Sequence, residues 1–181
     1  MYAHRCSGSY NIDGTSWRSF KDYSGGGMTD WGAHHFGGAT FAIDVREMEP
    51  EEVIFHNENG RKFATCRFPN GKLLHHNHPG RGNLDVEFAG DAAPSKPVPG
   101  YAGTGGIYGD FIDCVKTRRR PFRDVELAVH TANVCHLFLA AYELERSLKW
   151  DAAKQQFVND DEANRMLTRN YRSPFVVPAS V

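Results

Sequence analysis

Apolar positions recur along this chain at two different periods, and the change of period divides it. Leu127, Val134, Leu137, Phe138, Ala141 and Leu144 fall at steps of three, four or seven, which is one stripe of a helix. The spacing predicts a helix over 124–148 with Asp124 as its N-cap and Trp150-Asp151 at its end. Shorter helices are expected over 108–117 and 160–169. Between Glu52 and Phe88 the texture is instead that of short branched and aromatic segments, at 53–56, 62–68, 72–76 and 83–88. The turn signals Asn59-Gly60, Asn70-Gly71 and Pro79-Gly80 separate them, so they are expected to form an antiparallel meander with one buried and one exposed face.

Ahead of the meander a helix is expected over 28–44, entered from the glycine run Gly25-Gly26-Gly27 and capped by Thr29 or Asp30. Gly37-Gly38 in its middle disfavours helix by about 1 kcal/mol per residue, so a kink or a close packing contact is expected there. Residues 1–24 show no sustained period and form an irregular leading segment; 25–181 make one domain. Residues 91–106, rich in proline and glycine, are a connection without a core pattern. Helix, antiparallel strands, then helices is the order of an α+β fold with helices packed on one sheet face.

Composition narrows the function classes. In 181 residues, 21 Lys and Arg nearly balance 22 Asp and Glu, so there is no basic field for nucleic acid and no polybasic patch for a membrane. No apolar run is long enough to cross a bilayer, and the opening residues Met1 to Ser9 are too polar for a signal peptide, which leaves the compartment open. The start resembles the middle of a longer protein. Cys6, Cys66, Cys114 and Cys135 are far apart and are expected to be buried free thiols. His75-His76-Asn77-His78 raises the question of a metal. On a strand His76 and His78 would share a face with His75 opposite, and two ligands do not close a site. An exposed polar hairpin end, and no metal, is the expectation. The basic run Lys116 to Arg120 is expected to be a solvated helix terminus.

One pair of residues carries a candidate chemistry. Asp30 and His34 are four apart and lie on one helix face, a spacing suited to proton transfer. The structural alternatives are a capping carboxylate for Asp30 and a core histidine for His34. His35 points elsewhere, as a supporting or structural residue. Arg18 and Tyr23 could hydrogen-bond a polyol or a carboxylate, and tying down the leading loop explains them equally well. The Gly-x-Gly-x-x-Gly that lets backbone amides approach a pyrophosphate is absent: Gly25-x-Gly27 is followed by Asp30, and Gly103-x-Gly105 by Tyr108.

The stretch from Trp17-Arg18 through Gly25-Gly26-Gly27 to Asp30-Trp31-Gly32-Ala33-His34-His35 resembles the start of the C-terminal domain of the glucose-fructose oxidoreductase, inositol dehydrogenase and MocA (Gfo/Idh/MocA) family, in its bacterial branch. Four further segments follow in the family's order: Tyr108 to Val115, Arg120-Pro121-Phe122 to Glu126, Leu148 to Asp151, and Asp161 to Arg165. The resemblance implies the second half of a two-domain enzyme, an open, largely antiparallel sheet with helices, without the nucleotide-binding Rossmann half. It implies NAD or NADP for the full-length enzyme and none for this chain alone, a sugar or polyol substrate, and a homo-oligomer assembled through the sheet. It makes His34 the general acid/base and Asp30 its substrate-orienting partner; Arg18, Tyr23 and His35 stand beside them as substrate-binding candidates. The chain departs from the family in lacking the Glu-Lys-Pro motif and in carrying Gly37 where the family has aspartate. Two alternatives stand beside a dehydrogenase domain: a non-catalytic interaction module, and part of a sugar-cleaving enzyme that oxidises its substrate transiently.

Overall fold

The computed structural model describes residues 23–79, 84–87, 100–169 and 171–176; the leading segment with Arg18 lies outside them, apart from Tyr23 and Ser24. A 3-10 turn at Gly26–Met28 leads into α1 (Trp31–Ala42). Then come β1 (Glu52–Glu58), β2 (Arg61–Arg67), β3 (Leu73–His76) and β4 (Leu84–Glu87), followed by α2 (Gly106–Thr117) and α3 (Val125–Leu144). A hairpin of β5 (Leu148–Asp151) and β6 (Gln156–Phe157) and the short α4 (Asp161–Arg165) complete the order. The strands form one open sheet, β4-β3-β2-β1-β5-β6, and every pairing is antiparallel. The α+β class is therefore as the sequence predicts.

The β1–β2 register follows from its turn. Asn59 (φ 53°) and Gly60 (φ 84°) both occupy the left-handed region, the conformation of a two-residue type I′ hairpin, and Glu58 pairs with Arg61 across it. That register puts Val53, Cys66 and Leu74 opposite one another on the side facing the helices, where all three are fully buried. The α3 stripe closes over them: Leu127, Val134, Leu137, Phe138 and Ala141 are buried, and Phe36 of α1 stacks on Phe138 with ring centroids 5.0 Å apart. Asp124 caps α3 as expected, its carboxylate accepting from the Leu127 amide at 3.1 Å, and Asp160 does the same for α4.

Several expectations are corrected. The helix foreseen over 124–148 stops at Leu144, because Glu145 turns left-handed (φ 53°), and Leu148 and Trp150 then alternate inward as strand β5 beside β1. The helix foreseen from residue 28 begins at Trp31 after the 3-10 turn. Gly37 and Gly38 mark no forced contact: a Cβ at Gly37 would meet Thr131 at an ordinary 3.6 Å, and one at Gly38 would meet nothing within 4 Å. The basic run is tied down as well as solvated, since Arg119 bonds the buried Asp110 at 2.6 Å and Arg120 pairs with Asp124 and Glu126. Asp110 also accepts from the Phe122 amide at 2.8 Å, so it joins the end of α2 to the approach to α3. Cys66, Cys114 and Cys135 are free and buried, as foreseen, and burial raises all three thiol pKa values, that of Cys135 to about 12.

A buried carboxylate unites the parts. Glu49, in the link between α1 and β1, accepts from Trp150 Nε1 (2.6 Å), Gln155 Nε2 (2.8 Å), Asn133 Nδ2 (2.7 Å) and His130 Nδ1 (3.1 Å). Removing it leaves donors from α3 and the β5–β6 hairpin without their acceptor. Glu49→Ala should lower the unfolding free energy by about 3 kcal/mol, as for loss of hydrogen bonds to a charged group, with Glu49→Gln losing less. Urea denaturation measures this; a loss within about 0.5 kcal/mol, the range of a surface substitution, would deny Glu49 that place.

Candidate functional site

The inward side of α1 is occupied by Phe36, Thr40 and Phe41, which fixes where its other residues point. Asp30, half-buried, precedes the first turn, and His34, one turn on, is exposed. Asp30 holds the N-cap position of α1 but its side chain makes no capping bond, while its amide donates to Gly26 O at 3.0 Å. His34 is exposed, so the alternative of a core histidine is overturned. Tyr23 is 64% exposed ahead of the glycine turn, and Arg18 is outside the described residues. Asp30 and His34 thus lie one turn apart at the start of α1, Asp30 half-buried and His34 exposed.

His35 goes to a different place. It lines a cleft of about 620 Å³ walled by the Gly25–Gly27 turn, Trp31, the end of β3 and α3. Within the cleft His76 and Tyr142 form a pair: His76 Nδ1 lies 2.8 Å from Tyr142 Oη, which also lies 3.1 Å from the His76 carbonyl oxygen. The His76 ring sits among Phe36, Phe138 and Tyr142, with centroids 5.9, 5.7 and 5.4 Å away. Burial in this aromatic setting lowers the His76 pKa to about 4, and burial likewise raises that of Tyr142. Sequence reasoning missed this pair. Its signal was two phases: His76 is two residues from the inward Leu74 on β3, and Tyr142 is four from Phe138 on α3.

On the opposite flank of α1, Gly37 opens on a cleft of about 380 Å³ with Thr131 and Arg123. The position where the family has aspartate thus faces away from the His76 cleft.

The histidine run also differs from expectation. His75 is buried on the outer sheet face, its Nδ1 2.9 Å from Thr65 Oγ1, and His78 packs against it with centroids 4.9 Å apart. Asn77 is left-handed (φ 60°), which breaks the alternation and returns His78 to the side of His75. His56 stacks on the buried Phe63 of the same face at 4.4 Å. The hairpin end is accordingly packed and not merely exposed. Among the described residues no group of three or more His, Cys, Asp and Glu could hold a metal ion.

Residues 95–177 match a family model described as "Oxidoreductase family, C-terminal alpha/beta domain", named GFO_IDH_MocA_C2. That segment is similar to the C-terminal domain of the Gfo/Idh/MocA family. The match takes in α2, α3, β5, β6 and α4 and leaves the Asp30–His34 helix and strands β1–β4 before it. A solved structure, an NAD-binding protein from Listeria innocua, is 16% identical with a TM-score of 0.44, over 74% of this chain and 50% of that one. The chain thus spans half the length of that structure. No curated protein matches.

The described residues do not fit a dinucleotide. Its described strands are all antiparallel, so no parallel βαβ unit is present among them, and Gly25–Gly27 serves a 3-10 turn instead of a strand-to-helix phosphate loop.

The His76 setting gives a pH dependence with a definite sign. An unfolded chain binds a proton on this imidazole near the ordinary value of 6.5, and the folded one only near 4. Stability from this group is complete above pH 6.5, falls as pH drops towards 4, and is flat below, a loss of roughly 3 kcal/mol. Urea denaturation at pH 7.5 and 4.5 should show a smaller drop for His76→Gln than for the parent chain. Equal drops would mean that His76 titrates normally.

Proposed function

We propose that this chain is the substrate-binding and assembly domain of an NAD- or NADP-dependent oxidoreductase acting on a sugar or polyol hydroxyl, active when joined to a nucleotide-binding domain. The observation that carries this reading is that Asp30 and His34 stand one turn apart at the start of α1, with His34 exposed. Oxidising an alcohol by hydride transfer requires a base for the hydroxyl proton. Histidine suits that task in both directions of the reaction, and an adjacent carboxylate can orient the hydroxyl. The described residues do not fit a dinucleotide; in this reading they hold the substrate and move its proton, and NAD or NADP belongs to the partner domain. The oxidoreductase-family assignment of residues 95–177 supports this reading.

A second reading, an assembly module that forms homo-oligomers, is favoured by the apolar stripe on α2. Ile107, Tyr108, Phe111, Ile112 and Val115 are each at least 49% exposed. The outer sheet face is mixed, Phe63 being capped by His56, and favours it less. Light scattering on the purified chain distinguishes a monomer from an oligomer.

In a preparation complemented with a nucleotide-binding half from a relative, His34→Ala should lower kcat for polyol oxidation by about 100-fold or more, the scale of a lost general base. Asp30→Asn should lower it less. Steady-state NADH or NADPH formation is the readout. Undiminished oxidation by His34→Ala would remove His34 from the reaction, and turnover without net reduced cofactor would favour a transient-oxidation cleavage.

A further inference from the structure

Helices α1 and α3 turn large apolar residues inward, and α2 does the reverse. It buries Asp110 and Cys114 and carries Ile107, Tyr108, Phe111, Ile112 and Val115 outward. With 3.6 residues per turn these five fall within one arc of about 140°, on the side away from Asp110. What holds α2 in place is polar. Asp110 takes hydrogen bonds from Arg119 and the Phe122 amide, and Tyr101 donates to Asp113, while no other described helix or strand packs extensively along α2. The exposed fractions, from 49% for Val115 to 80% for Tyr108, leave roughly 600 Å² of side chain in one patch, the upper end of what a monomer usually exposes.

We propose that this stripe is an interface with a second copy of the chain, two α2 helices packing antiparallel about a two-fold axis that passes between Phe111 and Ile112. This rests on the assembly reading above and gives it a surface, which is α2 and not the sheet. Tyr108, Phe111, Ile112 and Val115 follow at steps of three, one and three, so their midpoint lies between residues 111 and 112. Around an axis at that midpoint Phe111 opposes Ile112 of the second copy and Tyr108 opposes Val115, each contact occurring twice. Every ring thus meets a branched aliphatic side chain.

A two-fold contact also brings the residues nearest the axis towards their own counterparts, so a charge there would repel itself. The stripe carries none. The acidic residues of α2 are already engaged within the chain, Asp110 by Arg119 and Asp113 by Tyr101. Lys116 flanks the stripe and opposes Ile107 at the rim, where its stem covers the isoleucine and its ammonium stays in water. The two copies together offer on the order of 1,200 Å², the lower edge of the ~1,200–2,000 Å² of stable interfaces. The contact closes on itself, so assembly through it stops at two copies.

Sedimentation velocity on the purified chain should show a concentration-dependent dimer. Phe111→Asp and Ile112→Lys should each raise its dissociation constant by about 100-fold or more, because each substitution sets two charges in an apolar contact. Mixing the two variants should restore a dimer to within about tenfold of the parent, since the introduced carboxylate of one chain then opposes the introduced ammonium of the other and the second contact keeps its native pair. Lys149→Glu, a charge reversal at an exposed position of the sheet, should leave the dimer unchanged. Circular dichroism checks that each variant is folded, and recovery on mixing is a result that unfolded variants would not give. A dimer that withstands Phe111→Asp, or that is lost with Lys149→Glu instead, would overturn the α2 interface and leave the assembly reading standing. Failure of the folded variants to dimerise on mixing would overturn the two-fold pairing. A parent chain that stays monomeric at high concentration would overturn both, and if Phe111→Asp then abolished complementation by a nucleotide-binding half, the stripe would belong to that domain.

Discussion

Glu49 links parts of the chain that are far apart in sequence. Its carboxylate takes hydrogen bonds from side chains 81 to 106 positions further on, two from α3 and two from β5 and the turn that follows it. Burying a charge is costly unless it is fully paired, and these donors meet that requirement only when α3 and the β5–β6 hairpin lie together against the segment before β1. The apolar core supplies most of the favourable free energy of packing, but such contacts are tolerant of small shifts. A carboxylate with four directed donors is not, and it sets the relative position of sheet and helix on which the clefts around α1 depend.

Much of the fold was legible because it is periodic. The α3 stripe, its Asp124 cap and the β1–β4 meander follow from spacings of three to four and of two, and from turn chemistry at Asn59-Gly60. What escaped lacked enough repeats or depended on tertiary context. Strand β5 has only four residues and follows closely after a helix, so Leu148 read as the last turn of α3 and Trp150-Asp151 as its end. Glu49 sits among Glu47, Met48, Pro50 and Glu51, a stretch indistinguishable in sequence from a solvated charge run. His78 was assigned to the wrong face because one left-handed residue, Asn77, cancels the alternation on which the assignment rested.

The candidate site was legible to the same partial degree. The spacing of Asp30 and His34 placed them one turn apart, and the structure adds that His34 is exposed while Asp30 is half-buried. The separation of His34 from His35 was foreseen only as a difference in direction. What could not be foreseen is that α1 divides its surroundings into three: an exposed side with His34, a flank with His35 towards His76 and Tyr142, and a flank with Gly37 towards Thr131. An aspartate in place of Gly37 would stand on the last of these, so its absence enlarges that flank and leaves the cleft of His76 as it is.

The buried thiols have a consequence of another kind. Cys66, Cys114 and Cys135 each sit where burial suppresses the thiolate, the form that attacks electrophiles and reacts with peroxides. Folding therefore withdraws these three sulfurs from redox chemistry without a bridge or a metal to protect them. Through these three described residues the folded domain is indifferent to whether its surroundings are oxidising or reducing, and they become open to crosslinking only when the chain unfolds.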